Sequence, residues 1–244
     1  MKKKVALVTG AALGIGRAIT ERLIDDEYFV IAVDIDAVNG EFLEDQFGNE
    51  NLVFMKADIC IEEEVQLLYD YIEKNHEEIY LLVNNAGIIR DNLIWNMPLD
   101  DFNTVIDVNL KGTWMMCKYA AILMRKQQLG RIVNISSRAS LGNRGQSNYS
   151  ASKAGVVALT RVLALELGKY NVLVNAIAPG LIDTTLTRAL DEKVLKQLIE
   201  AQPTKQMGKP EDIAHVVSFL ANESTKFITG QTIYVDGGKS IGAG

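Results

Sequence analysis

Val5-Ala6-Leu7-Val8-Thr9-Gly10-Ala11-Ala12-Leu13-Gly14-Ile15-Gly16 runs from a short apolar stretch straight into three glycines spaced G-x-x-x-G-x-G, and the amphipathic stretch Gly16–Asp26 follows at once. A glycine-rich turn between a strand and a helix lets backbone approach a pyrophosphate, while the helix N-terminus offers N–H donors and the positive end of its dipole. Alone, such a triplet is weak evidence. Its context strengthens it, because a second apolar run, Phe29–Val33, ends on Asp34, eighteen residues beyond Gly16, where a dinucleotide ribose would lie. Gly10, Leu13, Gly14, Ile15 and Gly16 are therefore candidate phosphate contacts. Asp34 is a candidate ribose ligand that would repel a 2′-phosphate, and no basic residue at Leu13 or Ile35 compensates, so NAD(H) is favoured over NADP(H).

Outward from this turn, short Val- and Ile-rich runs alternate with helical patterns to the end of the chain. The further runs are Val53–Lys56, Tyr80–Val83, Arg131–Ile135, Val172–Ala176 and Thr232–Val235. Consecutive apolar positions mark strands buried on both faces, as in a parallel sheet covered by helices. Helical patterns occupy Glu63–Lys74, Leu99–Arg125 (interrupted near Gly112), Tyr149–Leu167, Glu192–Ala201 and Glu211–Ala221, the last starting after Pro210. Seven strands and six helices without a linker predict one α/β domain over residues 1–244, a doubly wound Rossmann fold with helices on both faces of a seven-stranded parallel sheet.

Composition narrows the function classes. The 244 residues carry a net charge of −6, with 48% hydrophobic and 23% charged residues, so no broad basic surface invites nucleic acid. Cys60 and Cys117 lie far apart, and only His76 and His215 are histidines, which argues against a metal site and for a reducing, cytoplasmic setting. Met1-Lys2-Lys3-Lys4 with Val5–Val8 resembles a signal peptide only superficially, because the apolar run stops after four residues, short of the ~7 or more such a segment needs. No run reaches the ~18 apolar residues of a membrane span.

Tyr149 and Lys153 stand four residues apart in a helical stretch, on one face about a turn apart. A phenol can deliver a proton to a ketone oxygen, and a neighbouring ammonium would depress its pKa, so the pair suits alcohol–ketone chemistry. With the turn, Asn84-Asn85-Ala86-Gly87, Ser136-Ser137, Tyr149-x-x-x-Lys153 and Pro179-Gly180 with Thr184 in this order, the chain resembles the short-chain dehydrogenase/reductase superfamily over its whole length. The resemblance implies sheet order 3-2-1-4-5-6-7 and an NAD- or NADP-linked oxidoreductase acting on CH–OH donors. It further implies adenine contacts at Asp58 and Ile59, and cofactor contacts at Asn85, Ala86, Gly87, Pro179, Gly180, Ile182 and Thr184. Lys153 would hold the nicotinamide ribose, and Asn109 would anchor a proton-relay water. Residues 181–206 would cover the substrate.

For the oxyanion-binding serine, Ser137 ends the fifth strand twelve residues before Tyr149, whereas the commoner interval of thirteen selects Ser136. The strand position favours Ser137, because a one-residue slip turns a side chain to the opposite face. Locally, Asn84–Leu93 and Asp107–Gly112 are most like 3-oxoacyl-[acyl-carrier-protein] reductases, which are usually NADPH enzymes with a basic residue in the turn. Those enzymes dock their carrier through arginines whose matching positions here are Gln128 and Tyr170, with Arg125, Lys126 and Lys169 nearby. Arg138 and Arg144 read as solvated loop residues or as contacts to an acidic substrate. Trp95, Trp114 and Met115-Met116 read as core or interface, and family members are usually homotetramers whose glycine-rich tails (Gly237–Gly244) can reach a neighbour. Three readings compete: an NAD(H)-dependent alcohol–ketone oxidoreductase, a 3-oxoacyl-[acyl-carrier-protein] or 3-oxoacyl-CoA reductase, and a non-catalytic dinucleotide sensor, which would have no use for Tyr149 and Lys153.

Overall fold

The computed structural model describes residues 3–241. Met1, Lys2 and the end of the tail, Gly242–Gly244, lie outside the described residues. Seven strands, β1 (Val5–Thr9), β2 (Phe29–Asp34), β3 (Leu52–Lys56), β4 (Leu81–Asn84), β5 (Gly130–Ile135), β6 (Val172–Pro179) and β7 (Thr232–Val235), form one sheet in the expected order β3-β2-β1-β4-β5-β6-β7. Every pairing is parallel, with Leu7 opposite Ile31 on one side and Leu82 on the other.

Side chains alternate across the sheet and feed two cores. On one face Leu7, Ile31, Val33, Leu82 and Ile132 meet α3 (Glu62–Asn75), α5 (Thr113–Gln127) and α6 (Ser147–Leu167) through Val65, Leu68, Met116 and Leu163. On the other, Val8, Val30, Ala32, Val83 and Val133 meet α1 (Gly14–Asp25), α2 (Ala37–Phe47) and α9 (Pro210–Ala221) through Ile19, Leu23, Leu43 and Val217. Each such fully buried aliphatic side chain contributes about 1.5–3 kcal/mol.

Two helical regions differ from the sequence reading. Helix α2 has no counterpart there. In the structure Gly40 is a packing requirement: a Cβ on it would stand 2.1 Å from the Phe54 ring. The Asp36 carboxylate starts this helix by accepting from the Asn39 backbone N–H at 3.1 Å. The long Leu99–Arg125 stretch divides into α4 (Leu99–Ile106), a wide π-type turn (Asp107–Gly112) and α5. Gly112 lies against Ile59, whose side chain a Cβ would meet at 2.8 Å. The widened turn carries Asn109 inward, fully buried. Beyond β6, the short α7 (Thr185–Arg188) and α8 (Glu192–Glu200) form an exposed flap.

Candidate active site

The C-terminal ends of β1, β4, β5 and β6 converge on one rim, where ligands of doubly wound sheets bind. There Gly10 and Gly14 take φ values of +63° and +55°, which side chains rarely adopt. Gly16 packs so tightly under the turn that a Cβ would stand 1.8 Å from the Gly10 carbonyl oxygen. Leu13 precedes α1 without capping it by a side chain, so no side chain occupies the helix's first N–H groups. Asn85 locks the turn from β4, donating its Nδ2 to the carbonyls of Thr9 (3.2 Å) and Gly10 (2.9 Å), and the Thr9 hydroxyl accepts from the N–H groups of Asn85 and Ala86. Gly14 faces Thr184, whose methyl lies 3.8 Å from the place of a Cβ. A cradle of this shape, with uncapped donors, fits a dinucleotide pyrophosphate.

Asp34 stands at the end of β2, and both its oxygens are engaged. Oδ2 accepts from the Ala12 N–H at 3.0 Å and Oδ1 from the Asp36 N–H at 3.1 Å, so the carboxylate braces the glycine turn against the β2 end. Asp58 borders a hollow of about 730 Å³ beside Ile35, Lys56 and Ala57, and its Oδ1 accepts from the Cys60 N–H at 2.8 Å. Ile59, by contrast, is buried against Gly112. Ile182 is also buried, while Pro179 ends β6 and the space above Gly180 is closed by Asp236, 2.7 Å from the place of a Cβ.

Helix α6 brings in Tyr149 and Lys153. Lys153 is 4% exposed, and its Nζ donates to the Ile135 carbonyl at 2.8 Å. Burial pushes its pKa down to about 8. The Tyr149 ring centroid is 5.8 Å from that Nζ. The expected depression of the phenol does not occur in this state: burial pushes Tyr149 upward, the Ser137 hydrogen bond opposes it, and the Asp91 charge adds to the rise. At neutral pH the phenol therefore holds its proton, as a proton donor must.

The two serines separate cleanly. Ser136 is buried, and its hydroxyl donates to the Lys153 carbonyl at 2.9 Å, so it fastens β5 to α6. Ser137 is the one that reaches Tyr149, and its Oγ also accepts from the Ala139 N–H at 3.1 Å. Asn109 holds the Ile88 backbone from both sides, Oδ1 accepting from its N–H (2.8 Å) and Nδ2 donating to its carbonyl (3.0 Å), and it also donates to the Ser152 hydroxyl (3.2 Å). A Cβ on Gly87 would lie 3.2 Å from Asn109 Oδ1 and 3.3 Å from Lys153 Nζ, so these two groups flank the glycine. The structure thus gathers Asn109, Ser137, Tyr149 and Lys153 beside the cradle. Arg144, Trp95 and His215 are exposed, and Met115 and Met116 are core.

Three contributors were absent from the sequence reading. Asn148, fully buried, accepts from the Tyr149 N–H at 2.7 Å and donates to the Arg90 carbonyl at 2.8 Å. Thr9 organises the β4 end as described. Asn134 accepts from Asn84 (2.8 Å) and donates to Thr160 (2.9 Å), a buried polar chain crossing from β4 through β5 to α6. A lone asparagine before a helical tyrosine was the available signal for Asn148. Nothing local distinguishes Thr9 or Asn134.

A phosphate-cradling turn beside a buried lysine, a protonated tyrosine and a serine hydroxyl defines a dinucleotide-linked oxidoreductase that interconverts a secondary alcohol and a ketone. The chain belongs to the short-chain dehydrogenase/reductase family: residues 10–240 match a family model described as enoyl-(acyl carrier protein) reductase. It is 41% identical, over 98% of both chains, to a 3-oxoacyl-[acyl-carrier-protein] reductase of Aquifex aeolicus, and 40% identical, over 99% of both, to one of Thermotoga maritima. It is also 40% identical to the (2S)-[(R)-hydroxy(phenyl)methyl]succinyl-CoA dehydrogenase subunit BbsD of Thauera aromatica, over 100% of this chain and 99% of that one. The crystal structure of gox2181 superposes with a TM-score of 0.94 at 31% identity, covering 99% of this chain and 97% of the other.

These relatives correct the cofactor expectation. NAD(H) was favoured over NADP(H) on Asp34, yet the near-full-length similarity is to 3-oxoacyl-[acyl-carrier-protein] reductases, a group of NADPH enzymes, and points to NADP(H). The physical reason the sequence argument failed lies in the geometry above. Asp34 bonds two backbone N–H groups, so its presence reports a brace for the turn and does not establish a ribose ligand.

Proposed function

We propose that the protein is an NADP(H)-dependent 3-oxoacyl-thioester reductase, converting the 3-oxo group of an acyl carrier protein or coenzyme A thioester to a 3-hydroxyl. One observation carries this: the Asn109, Ser137, Tyr149 and Lys153 cluster sits on a chain about 40% identical end to end to reductases of 3-oxoacyl thioesters and to a dehydrogenase subunit named for a hydroxylated succinyl-CoA. In this reading Gly10, Leu13, Gly14, Ile15 and Gly16 bind the pyrophosphate, and Asp58 and Ile59 border the adenine end. Asn85, Ala86, Gly87, Pro179, Gly180, Ile182 and Thr184 surround the remainder. When bound, the nicotinamide supplies the hydride.

The chain's own residues supply the rest. Ser137 hydrogen-bonds the ketone oxygen and lowers the cost of charge developing there. Tyr149 delivers the proton to that oxygen. Lys153, released from the Ile135 carbonyl, holds the nicotinamide ribose and stabilises the resulting phenolate, and Asn109 anchors the water that returns the proton from solvent. Residues 181–206 cover the acyl chain and exclude water.

Exposed Trp114, Ile122, Val162 and Leu165 on α5 and α6 support burial of these helices in a homotetramer, which sedimentation would reveal. Both thiols are free, and burial pushes Cys60 and Cys117 up to about 12, which suits a reducing cytoplasm. Among the described residues no helix is long and apolar enough to cross a membrane. The test is NADPH oxidation in the presence of acetoacetyl-CoA or acetoacetyl-carrier protein, which should exceed that with unactivated ketones.

A further inference from the structure

The segment Ile88–Asn92 after β4 is stitched to the start of α6 at several points around Tyr149. The Asn92 N–H donates to the Gly145 carbonyl at 2.8 Å. The Gln146 Nε2 donates to both oxygens of Asp91, at 3.1 and 2.9 Å, while its Oε1 accepts from Asn143 at 2.9 Å. Asn148 ties the Arg90 carbonyl to the Tyr149 N–H. At the other end of the segment, Asn109 grips Ile88 on both sides. The loop is therefore one strut running from the relay asparagine to the proton donor. Both ends of the Gln146 amide are spoken for, so the acidic end of the strut has a fixed place.

We propose that Asp91 is a positioning residue for the proposed reduction: clasped by Gln146, it holds its carboxylate at the rim beside Tyr149 and keeps that side chain poised as a proton donor. The Lys153 Nζ from α6 lies 5.8 Å from the Tyr149 ring, and the neighbouring Arg90 of the strut is paired with Asp101 of α4 at 4.0 Å. Burial is the larger effect that disfavours the Tyr149 phenolate, and the Asp91 charge adds to it. Removing that charge while keeping the side chain's shape should let Tyr149 lose its proton at lower pH.

Two readouts test this, and the first needs no substrate. Amide hydrogen exchange in the full-length protein should speed up at Asn92 and Tyr149 in Asp91→Ala, whereas Asp91→Asn, which still accepts from Gln146, should exchange as the wild type does. In NADPH-dependent reduction of acetoacetyl-CoA, Asp91→Asn should move the alkaline limb of kcat to lower pH, and Asp91→Glu should restore it. Gln146→Ala, which frees the carboxylate, should lower kcat by up to about a hundredfold and move the limb in the same direction as Asp91→Asn, by less. Wild-type exchange in Asp91→Ala, or an unmoved limb in Asp91→Asn, overturns the proposal. If the wild type reduces no thioester, the proposed function fails while the exchange comparison still decides the clasp.

Discussion

Replacing Lys153 by methionine should abolish turnover and stabilise the protein. Lys153 is 4% exposed, and its Nζ donates to the Ile135 carbonyl at 2.8 Å. A buried ammonium whose pKa falls from an ordinary 10.5 to about 8 costs about 3 kcal/mol at neutral pH. Methionine has nearly the same length without the charge, and losing the bond to Ile135 gives back about 1 kcal/mol. The net gain is about 2 kcal/mol, or about 4–8 °C in Tm for a domain of this size. The sign with pH follows from proton counting. Between about pH 8 and 10.5 the unfolded chain holds a proton that the folded lysine has lost, so wild-type stability rises through that window. The variant has no such rise, and its advantage should be full below pH 8 and shrink above it. Urea unfolding at fixed protein concentration without cofactor, at pH 7 and pH 9.5, measures both points. A variant less stable than wild type at pH 7, or an advantage independent of pH, would refute this account of the site as a strained one.

Tyr149→Phe should reduce kcat to background while NADPH still binds, as read by fluorescence titration; retained turnover would remove Tyr149 as proton donor. Ser137→Ala should cost kcat about 10²–10³-fold, as loss of an oxyanion donor does. Ser136→Ala, which loses its bond to the Lys153 carbonyl, should instead lower stability by about 1 kcal/mol, and steady-state kinetics with thermal melts separate the two. Gly16→Ala places a methyl 1.8 Å from the Gly10 carbonyl and should weaken NADPH binding at least tenfold while lowering Tm, checked by calorimetry.

Much of the fold was readable because buried parallel strands write themselves as consecutive apolar runs, and all seven runs appear in the sheet. Helix α2 escaped: Gly40 lowers local helix propensity, and the reason a glycine stands there lies across the sheet, in the Phe54 ring. The proximity of the candidate group was legible through spacing: Tyr149 and Lys153 share a helical face, and of the two serines it is Ser137 that bonds Tyr149 while Ser136 bonds the Lys153 carbonyl. Asp34 misled, because a strand-end carboxylate has the same one-letter signature whether it binds ribose or two backbone N–H groups. The phenol's proton affinity also escaped, since it depends on the burial of the ring, on the Ser137 hydrogen bond and on Asp91, fifty-eight residues away in sequence.

The most direct test of the central claim is the rate of NADPH oxidation when acetoacetyl-CoA is added to the purified protein, run beside Tyr149→Phe and beside NADH. The account predicts turnover with NADPH, little with NADH, and none in the variant. Turnover that prefers NADH, or that survives in Tyr149→Phe, would contradict it.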